Sequence, residues 1–482
     1  MLWGSTTWWA LSTRLTRCPD PIPRPEATVQ SSPRDKENAV AERSTSLRTV
    51  TRGRHPSVSA PTSTPGAKRP GRVAGHGADP NGTPSSRASG TGTVSRLGSK
   101  QVGWLTRVRS ARAIAVLVGV LCVFGLVMVG SASPVISLGL YGSPWTIFIR
   151  QVMWMGVGAA VLLIFSRMDY RKWRTIRGPL VIVTMALLVA VLVPGLGVTA
   201  GGSSRWIGFG MLRLQPSELM KLALAVFAAD LLTRRADRTN DQKMIIVPVL
   251  SVLGISAILI LKQPDMGTAL VLCCIAFGIL FMGGVSMAPI LKILGAFGVL
   301  AVIVGLADPY RRDRILSFLN PGANRSGSGY QVWQSLIGLG SGHIFGLGLG
   351  GGRQKWGLLP NAHTDFIFSV VGEELGLFGA IVTLGLFFAL AWYGLRAATR
   401  APDRFGSLLA VGITTWITSQ AVINIGAVVG VLPVTGIPLP FISFGGSSLV
   451  ITMAAVGILV NIAAHERATP HALRPRRQPA KR

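Results

Sequence analysis

AIAVLVGVLCVFGLVMVGSAS, residues 113–133, is an apolar stretch without a single charge. As a helix rising 1.5 Å per residue it is long enough to cross a hydrocarbon core of about 30 Å. Segments of the same kind recur at approximately 145–166, 178–197, 216–234, 244–261, 265–284, 287–306, 366–396, 406–431 and 445–464. Only a tight Gln263-Pro264 turn separates the fifth from the sixth. The chain therefore reads as an all-α polytopic membrane protein of about ten transmembrane helices, with both termini on one side. Composition agrees: mean hydropathy is +0.48 and 14% of residues are charged, where a soluble domain carries about a quarter.

Outside this block the sequence changes character. Residues 1–108 are rich in Ser, Thr, Pro, Gly and Arg without a sustained apolar period, and read as a disordered basic cytoplasmic tail. The ten-helix membrane domain is expected at 109–465, and a second basic tail at 466–482. The net charge is +12 over residues 1–112 and +5 over 466–482. Tails of this kind can bind nucleic acid. Flanking a membrane body, they read instead as cytoplasmic retention with weak attraction to anionic lipid. Four cysteines, three of them in apolar runs, suggest neither a disulfide framework nor a zinc site. The opening MLWGSTTWWALSTRLTR has its charges after its apolar stretch, the reverse of a secretory signal.

The loops set the orientation. RMDYRKWRTIRG (167–178), RRADRTNDQK (234–243) and RAATRAPDR (396–404) are short and basic, as cytoplasmic loops are. The alternate set, including PVISLGLYGS (134–143) and VLPVTGIPLPFIS (431–443), is uncharged and reads as extracytoplasmic. One member of that set, 307–365 between the seventh and eighth spans, is too long for a connector. Its aromatics, arginines and glycines suggest an ordered cap with amphipathic pieces.

Ionisable groups gather at that outer face: Arg205 in GGSSRWIGFG, Glu218 and Lys221 in QPSELMKLA, and Asp265 in KQPDMGTAL. The long loop adds Arg311, Arg312, Arg314, Arg353 and Lys355, and then His363 and Asp365 in NAHTDFIF. Glu218 and Lys221, three apart, share one helix face. They form either a structural ion pair or the polar wall of a substrate cavity. Asp365 is either a helix cap or a general base beside a polyanionic substrate. Thr364 is available to cap in its place, and the cationic loop just upstream favours the base. Glu373 and Glu374 lie deeper and, being consecutive, cannot both enter one cavity, so they read as mainly structural. Arg150, within the second span, needs a partner or a watery cavity. In PVTGIPLPFISFGGSS (433–448), prolines and glycines suit a re-entrant stretch. Ser443 and the run 445–448 could present hydroxyls and N–H groups there, or the glycines could serve helix packing.

With these motifs the chain resembles the SEDS family of cell-wall polymerases, and its division-type branch most. The strings are SSRWIGFG, QPSELMKLA, QPDMGTALVL, YRRDRILSFLNP with GSGYQVWQS, LPNAHTDFIFSVVGEELGLFG and LPVTGIPLPFISFGGSS, in the family's order across roughly 112–465. The resemblance implies a peptidoglycan glycosyltransferase that polymerises lipid II into glycan strands at the outer face of the cytoplasmic membrane, at the division septum. A lipid II flippase and a noncatalytic divisome scaffold are the alternatives. It implies Asp365 as the catalytic residue. Arg205, Glu218, Lys221, His363, Arg353, Lys355 and Ser443 are the expected substrate-binding set. It also implies a divalent cation, Mg2+ or Mn2+, with ligands unknown. The expected partners are a class B penicillin-binding protein transpeptidase and other divisome proteins, since the chain holds no crosslinking chemistry. One departure is NPGANRSGSGY, which lacks the acidic residue frequent after the NP.

Overall fold

A computed structural model describes residues 95–200, 203–209, 212–236, 242–286, single positions within 288–303, and 329–466. Most of the span expected at 287–306, the arginines Arg311, Arg312 and Arg314, and the tails 1–94 and 467–482 lie outside the described residues.

The described chain is mostly helix: α1 (Ser95–Ala132), α2 (Pro134–Tyr141), α3 (Thr146–Arg167), α4 (Trp173–Leu192), α5 (Pro216–Arg234), α6 (Gln242–Lys262), α7 (Met266–Met282), α8 (Tyr330–Ser341), α9 (Ile367–Thr399), α10 (Arg404–Val428) and α11 (Gly446–Ala464). Among the described residues seven helices are long and apolar enough to cross a membrane, and α7 is a shorter apolar helix. This is a multi-pass membrane protein. Helix α5 fails that test because Glu218, Lys221, Asp230 and Arg234 interrupt it. It is nonetheless central, with most of its side chains buried.

Burial orders the bundle. The apolar windows of α10 and α11 are each 72% buried, against 17% for α3 and α4. The first pair forms the centre and the second faces lipid. Helix α11 packs chiefly on α3, and α10 on α9, α7 and α5.

At one end the basic loops are tied together. Asp230 on α5 pairs with Arg174, Arg177 and Arg234, each at 2.9 Å. Asp403 pairs with Arg171 at 3.0 Å and accepts from the Tyr170 hydroxyl at 2.7 Å. Arg404 donates to the Gly283 carbonyl at 2.8 Å, and Asn461 to that of Ser166 at 2.8 Å. The three loops grouped by charge thus meet on one face.

Three differences from expectation matter. Helix α1 begins at Ser95, so residues 95–108 carry helical backbone where disorder was expected. Once a helix is nucleated, extending it adds one hydrogen bond per residue fixed. Segment 134–143 is largely a short helix, α2, ended by Gly142 in the left-handed region. Finally, 197–214 is an antiparallel sheet in the order β1 (Gly197–Ala200), β2 (Ser203–Phe209), β3 (Leu212–Leu214). Trp206 is paired across β1–β2 and Phe209 across β2–β3, residue types that favour cross-strand packing.

Candidate functional site

At the end opposite the basic loops lies a cavity of about 340 Å³. Its wall is drawn from five pieces of chain: Arg205 and Trp206 on β2, Gln215 before α5, Thr268 in the first turn of α7, Asn361, Thr364 and Asp365 before α9, and parts of 436–448 leading into the first turn of α11.

Each wall segment is pinned from behind. Arg205 donates Nε to the Gln263 carbonyl at 3.2 Å and Nη2 to that of Pro264, and its Nη1 lies 3.9 Å from Asp265 Oδ1. Asp265 caps α7, accepting from the Thr268 N–H at 3.2 Å and hydroxyl at 2.9 Å, and takes a third bond from Gln215 Nε2 at 3.2 Å. The sheet is thus locked to the α6–α7 turn, and one face of the guanidinium is left toward the cavity.

Asp365 precedes α9, whose N-cap position falls on Phe366. The backbone of 361–366 is fixed on the 436–444 segment: Ser443 Oγ donates to the Thr364 carbonyl at 2.6 Å, and the Phe444 N–H to that of His363 at 3.0 Å. Asn424 Nδ2 reaches the carbonyls of both Asp365 and Ile437, each at 2.8 Å. Gly436, at φ +69°, faces the gap: a Cβ built there would stand 3.7 Å from Arg205 Nη1 and 3.7 Å from Asp365 Oδ2. Any side chain at 436 would fill the space between carboxylate and guanidinium, and the left-handed backbone disfavours one as well.

Of the residues singled out in the sequence, the cavity brings together Asp365, Thr364, Arg205 and the run 445–448. Glu218, Lys221, Ser443, His363, Lys355 and Arg353 are not among its lining residues. Glu218 and Lys221 form a buried pair at 2.8 Å, with the Lys221 ammonium also donating to Gln420 Oε1 at 2.7 Å and standing 4.8 Å from the Trp416 ring centre. Gln420 Nε2 in turn donates to the Pro438 carbonyl at 2.9 Å. The pair therefore underpins the wall rather than forming it, which corrects its reading as lining. Ser443 has its hydroxyl committed, donating to Thr364 and accepting from the Leu439 N–H at 2.8 Å. His363 sits with its ring centre 5.8 Å from that of Phe444, and burial depresses its pKa from 6.5 to about 4, so it is neutral near pH 7.

Two loop cations lie outside the cavity lining. Lys355 is buried against Glu374 at 2.7 Å and Ser131 at 3.0 Å, the kind of partner a buried charge needs. Arg353 points into solvent, and only its backbone N–H is used, donating to Glu373 Oε1 at 2.7 Å. Glu373 and Glu374 hold the 353–355 turn and α1 onto α9, the structural role expected of them. Arg150 finds Tyr141: its Nη1 is 3.0 Å from the hydroxyl and its guanidinium stacks 4.4 Å over the ring.

Gln420 and Asn424 were missed. Four residues apart in an apolar run, with Trp416 four before, they form one polar stripe on α10. That spacing was the available signal. Among the described residues no three His, Cys, Asp or Glu side chains gather as a metal cage. Asp365 is the one carboxylate among the cavity's described lining residues, a donor set that would leave most of an ion's coordination to other oxygens, as Mg2+ often accepts.

The cell cycle protein family comprising FtsW, RodA and SpoVE matches residues 112–468. Stage V sporulation protein E of Bacillus subtilis is 40% identical over 356 residues, covering 73% of this chain and 97% of that protein. The probable peptidoglycan glycosyltransferase FtsW of Geobacter metallireducens is 42% identical over 347 residues, 72% of this chain and 92% of the relative. Its Mycobacterium tuberculosis namesake is 42% identical over 373 residues, 77% and 71%. A solved peptidoglycan synthase complex that coordinates polymerization and crosslinking contains a chain of TM-score 0.61 and 29% identity, covering 73% of this chain and 96% of that one. The rod shape determining protein RodA of Thermus thermophilus aligns at TM-score 0.53 and 28% identity, covering 73% and 95%.

Proposed function

The chain belongs to the family of FtsW, RodA and SpoVE, and from that premise we infer that it is a peptidoglycan glycosyltransferase of cell-wall synthesis that joins lipid II units into glycan at the Asp365–Arg205 cavity. The observation that carries the site is that Asp365 and Arg205 line one cavity, each 3.7 Å from where a Cβ on Gly436 would stand. A cavity lined by both can take a sugar hydroxyl beside the carboxylate and a phosphate beside the guanidinium.

In this reading the 4-hydroxyl of the acceptor sugar attacks the anomeric carbon of the donor. The bond from that carbon to the phosphate oxygen breaks, and the lipid pyrophosphate leaves. Asp365 accepts the hydroxyl proton. Arg205, oriented in advance by two carbonyls, offsets the charge that develops on the leaving phosphate. A divalent ion, Mg2+ or Mn2+, would be held by Asp365 and the substrate's phosphates, and would neutralise pyrophosphate charge. Glu218, Lys221, Gln420 and Asn424 keep the 436–438 wall and the 361–365 segment in register.

The loop charges favour placing the cavity on the extracytoplasmic side, and we take the chain to cross ten times. Helix α7 ends at Gly283 on the basic face and α9 starts at the other, which calls for one crossing between them. A class B penicillin-binding protein is the proposed crosslinking partner, by likeness to the synthase complex, and the septum the proposed location.

Purified full-length protein incubated with lipid II, alone and with that partner, tests the activity: long glycan on a gel is expected, and its absence in both would overturn the assignment. A single cysteine at Asn361 should react with an impermeant reagent on intact cells. Reaction only after permeabilisation would reverse the orientation.

A further inference from the structure

Residues 343–349, HIFGLGL, form a loop outside any helix that fits into a break in α9. Gly376, at φ +65° and ψ −162°, interrupts the helical ladder there. The loop supplies the missing partners. Leu347 and Gly348 donate N–H to the carbonyls of Glu373 and Glu374, each at 3.0 Å. Leu377 and Phe378 donate to those of His343 and Ile344 at 2.9 and 3.1 Å. Glycine permits the fit: a Cβ on Gly346 would strike the Glu374 carbonyl, and one on Gly376 the Gly346 nitrogen.

Four backbone bonds hold the loop to one level of α9, and that level is where the helix's exposed apolar surface begins. From Ile367 to Gly376 the side chains are buried apart from the half-buried Leu375; from Leu377 to Leu395 the helix exposes Phe378, Ile381, Phe388 and Trp392 among others. Leu377 to Leu395 spans about 27 Å at 1.5 Å per residue, close to the ~30 Å hydrocarbon thickness. Leu377 and Phe378 therefore mark one edge of the hydrocarbon. At that edge the loop exposes Ile344, Leu347 and Leu349, and Phe345 is 85% exposed. Leu349 continues the surface onto α1, bordering an apolar groove of about 620 Å³ with Val116, Val120, Val123 and Val127. The exposed His343 and Arg353 bracket the segment with polar side chains.

We propose that residues 344–349 are embedded in the membrane leaflet at the cavity end, with their apolar side chains among lipid acyl chains. Two independent observations favour lipid over water as the occupant. The exposed side chains continue the lipid-facing belt of α9 without a break. In addition, the loop is backed onto protein at five backbone groups: the Leu347 and Gly348 N–H groups and the Ile344 carbonyl are bonded to α9, the Gly346 N–H donates to the Gly342 carbonyl, and the Gly348 carbonyl accepts from the Gly351 N–H. Irregular backbone is tolerated at membrane depth where it is seated on protein in this way. The wedge fixes the height of the kink, and with it the height of the α9 segment that leads to Asp365.

A nitroxide at Phe345→Cys tests this in the full-length chain, with Cys18, Cys122, Cys273 and Cys274 replaced by Ala, reconstituted in phosphatidylethanolamine–phosphatidylglycerol vesicles. Power saturation compares collision with oxygen, which concentrates in lipid, against a water-soluble nickel chelate. Position 345 should behave like Leu384→Cys on the α9 belt and opposite to Asn361→Cys at the cavity. Leu349→Cys on the same loop should give the same result and serves if the first variant does not fold. A nickel-dominated signal at both loop positions would place the loop in water, and protection from both reagents would place it against protein. Either result overturns the proposal.

Discussion

Each end of the bundle sets an aspartate against arginine, and the two ends put the same chemistry to different use. At the basic end Asp230 is fully buried and meets three guanidiniums at 2.9 Å, so its charge is spent locking α4 to α5. At the other end Asp365 and Arg205 line a cavity of about 340 Å³, each 3.7 Å from where a Cβ on Gly436 would stand. One aspartate is packed among its partners; the other lines a cavity whose walls are anchored from behind. The difference lies in what each carboxylate faces: packed guanidiniums at one end and a cavity at the other.

The same substitution at both ends should separate these roles most strongly. Asp365→Asn keeps shape but cannot take a proton near neutral pH, so glycan synthesis from lipid II should fall at least about 100-fold, the lower range for general-base loss. Its melting temperature should stay near wild type. Asp230→Asn should do the reverse, losing about 1–3 kcal/mol of stability from weakened charged hydrogen bonds at unchanged turnover per folded molecule. Long glycan from the Asp365 variant, or loss of turnover in the Asp230 variant, breaks the comparison.

How far this contrast could be read from the sequence depends on range. The apolar spans were legible because membrane thickness imposes a length, and the basic end because loop charge imposes a side. Asp365 and Arg205 stood out by motif and position. The residues that support them did not. Lys355 looked like a free loop cation, and its commitment to Glu374 arises only because 353–355 folds back onto α9. The sheet carrying Arg205 was hidden because its strands are short and glycine-flanked. Asn424 and Gln420 lay inside an apolar run whose length spoke louder than its two amides.

Glu218 and Lys221 sharpen the comparison, since they are as closed as Asp230 yet lie under the cavity. Lys221→Met would leave the Glu218 carboxylate buried without its cation, and breaking a buried pair in this way costs about 3–5 kcal/mol. We expect a large drop in melting temperature and reduced folded protein in membranes. Activity should fall further than the folded fraction, because Gln420 and the Pro438 carbonyl lose their support. If activity simply tracked the folded fraction, the pair would be structural alone, like its counterpart at the basic end.

His363 predicts a smaller, pH-dependent effect confined to the cavity end. Its folded pKa of about 4 lies below the ordinary 6.5 because burial penalises the charged ring. The unfolded chain therefore binds the proton first as pH falls. Stability from this residue is complete above pH 6.5 and declines on acidification until about pH 4. At pH 5 the loss is about 2 kcal/mol, from 1.36 kcal/mol per pH unit. His363→Gln should shrink the difference in melting temperature between pH 7.5 and pH 5, while Asp230→Asn should leave it unchanged. An undiminished acid loss in the Gln variant would assign it to another group.

The smallest effect is expected at Arg353, and it tests how far the cavity extends. A cation beside a polyanionic substrate would be costly to remove, and by sequence Arg353 is such a cation. In the fold its guanidinium lies in solvent, and the contact that matters is its backbone N–H on Glu373 at 2.7 Å. Glutamine keeps that N–H, so Arg353→Gln should change stability by no more than about 0.5 kcal/mol, as surface substitutions usually do. The KM for lipid II should move less than twofold at physiological salt. Exposed charges act weakly through a Debye length of about 8 Å, so repeating the measurement at about 0.01 M salt, where screening extends to about 30 Å, gives long-range attraction its best chance to appear. A several-fold rise in KM that persists at physiological salt would mean that the substrate reaches beyond the Asp365–Arg205 gap to touch the 353 turn.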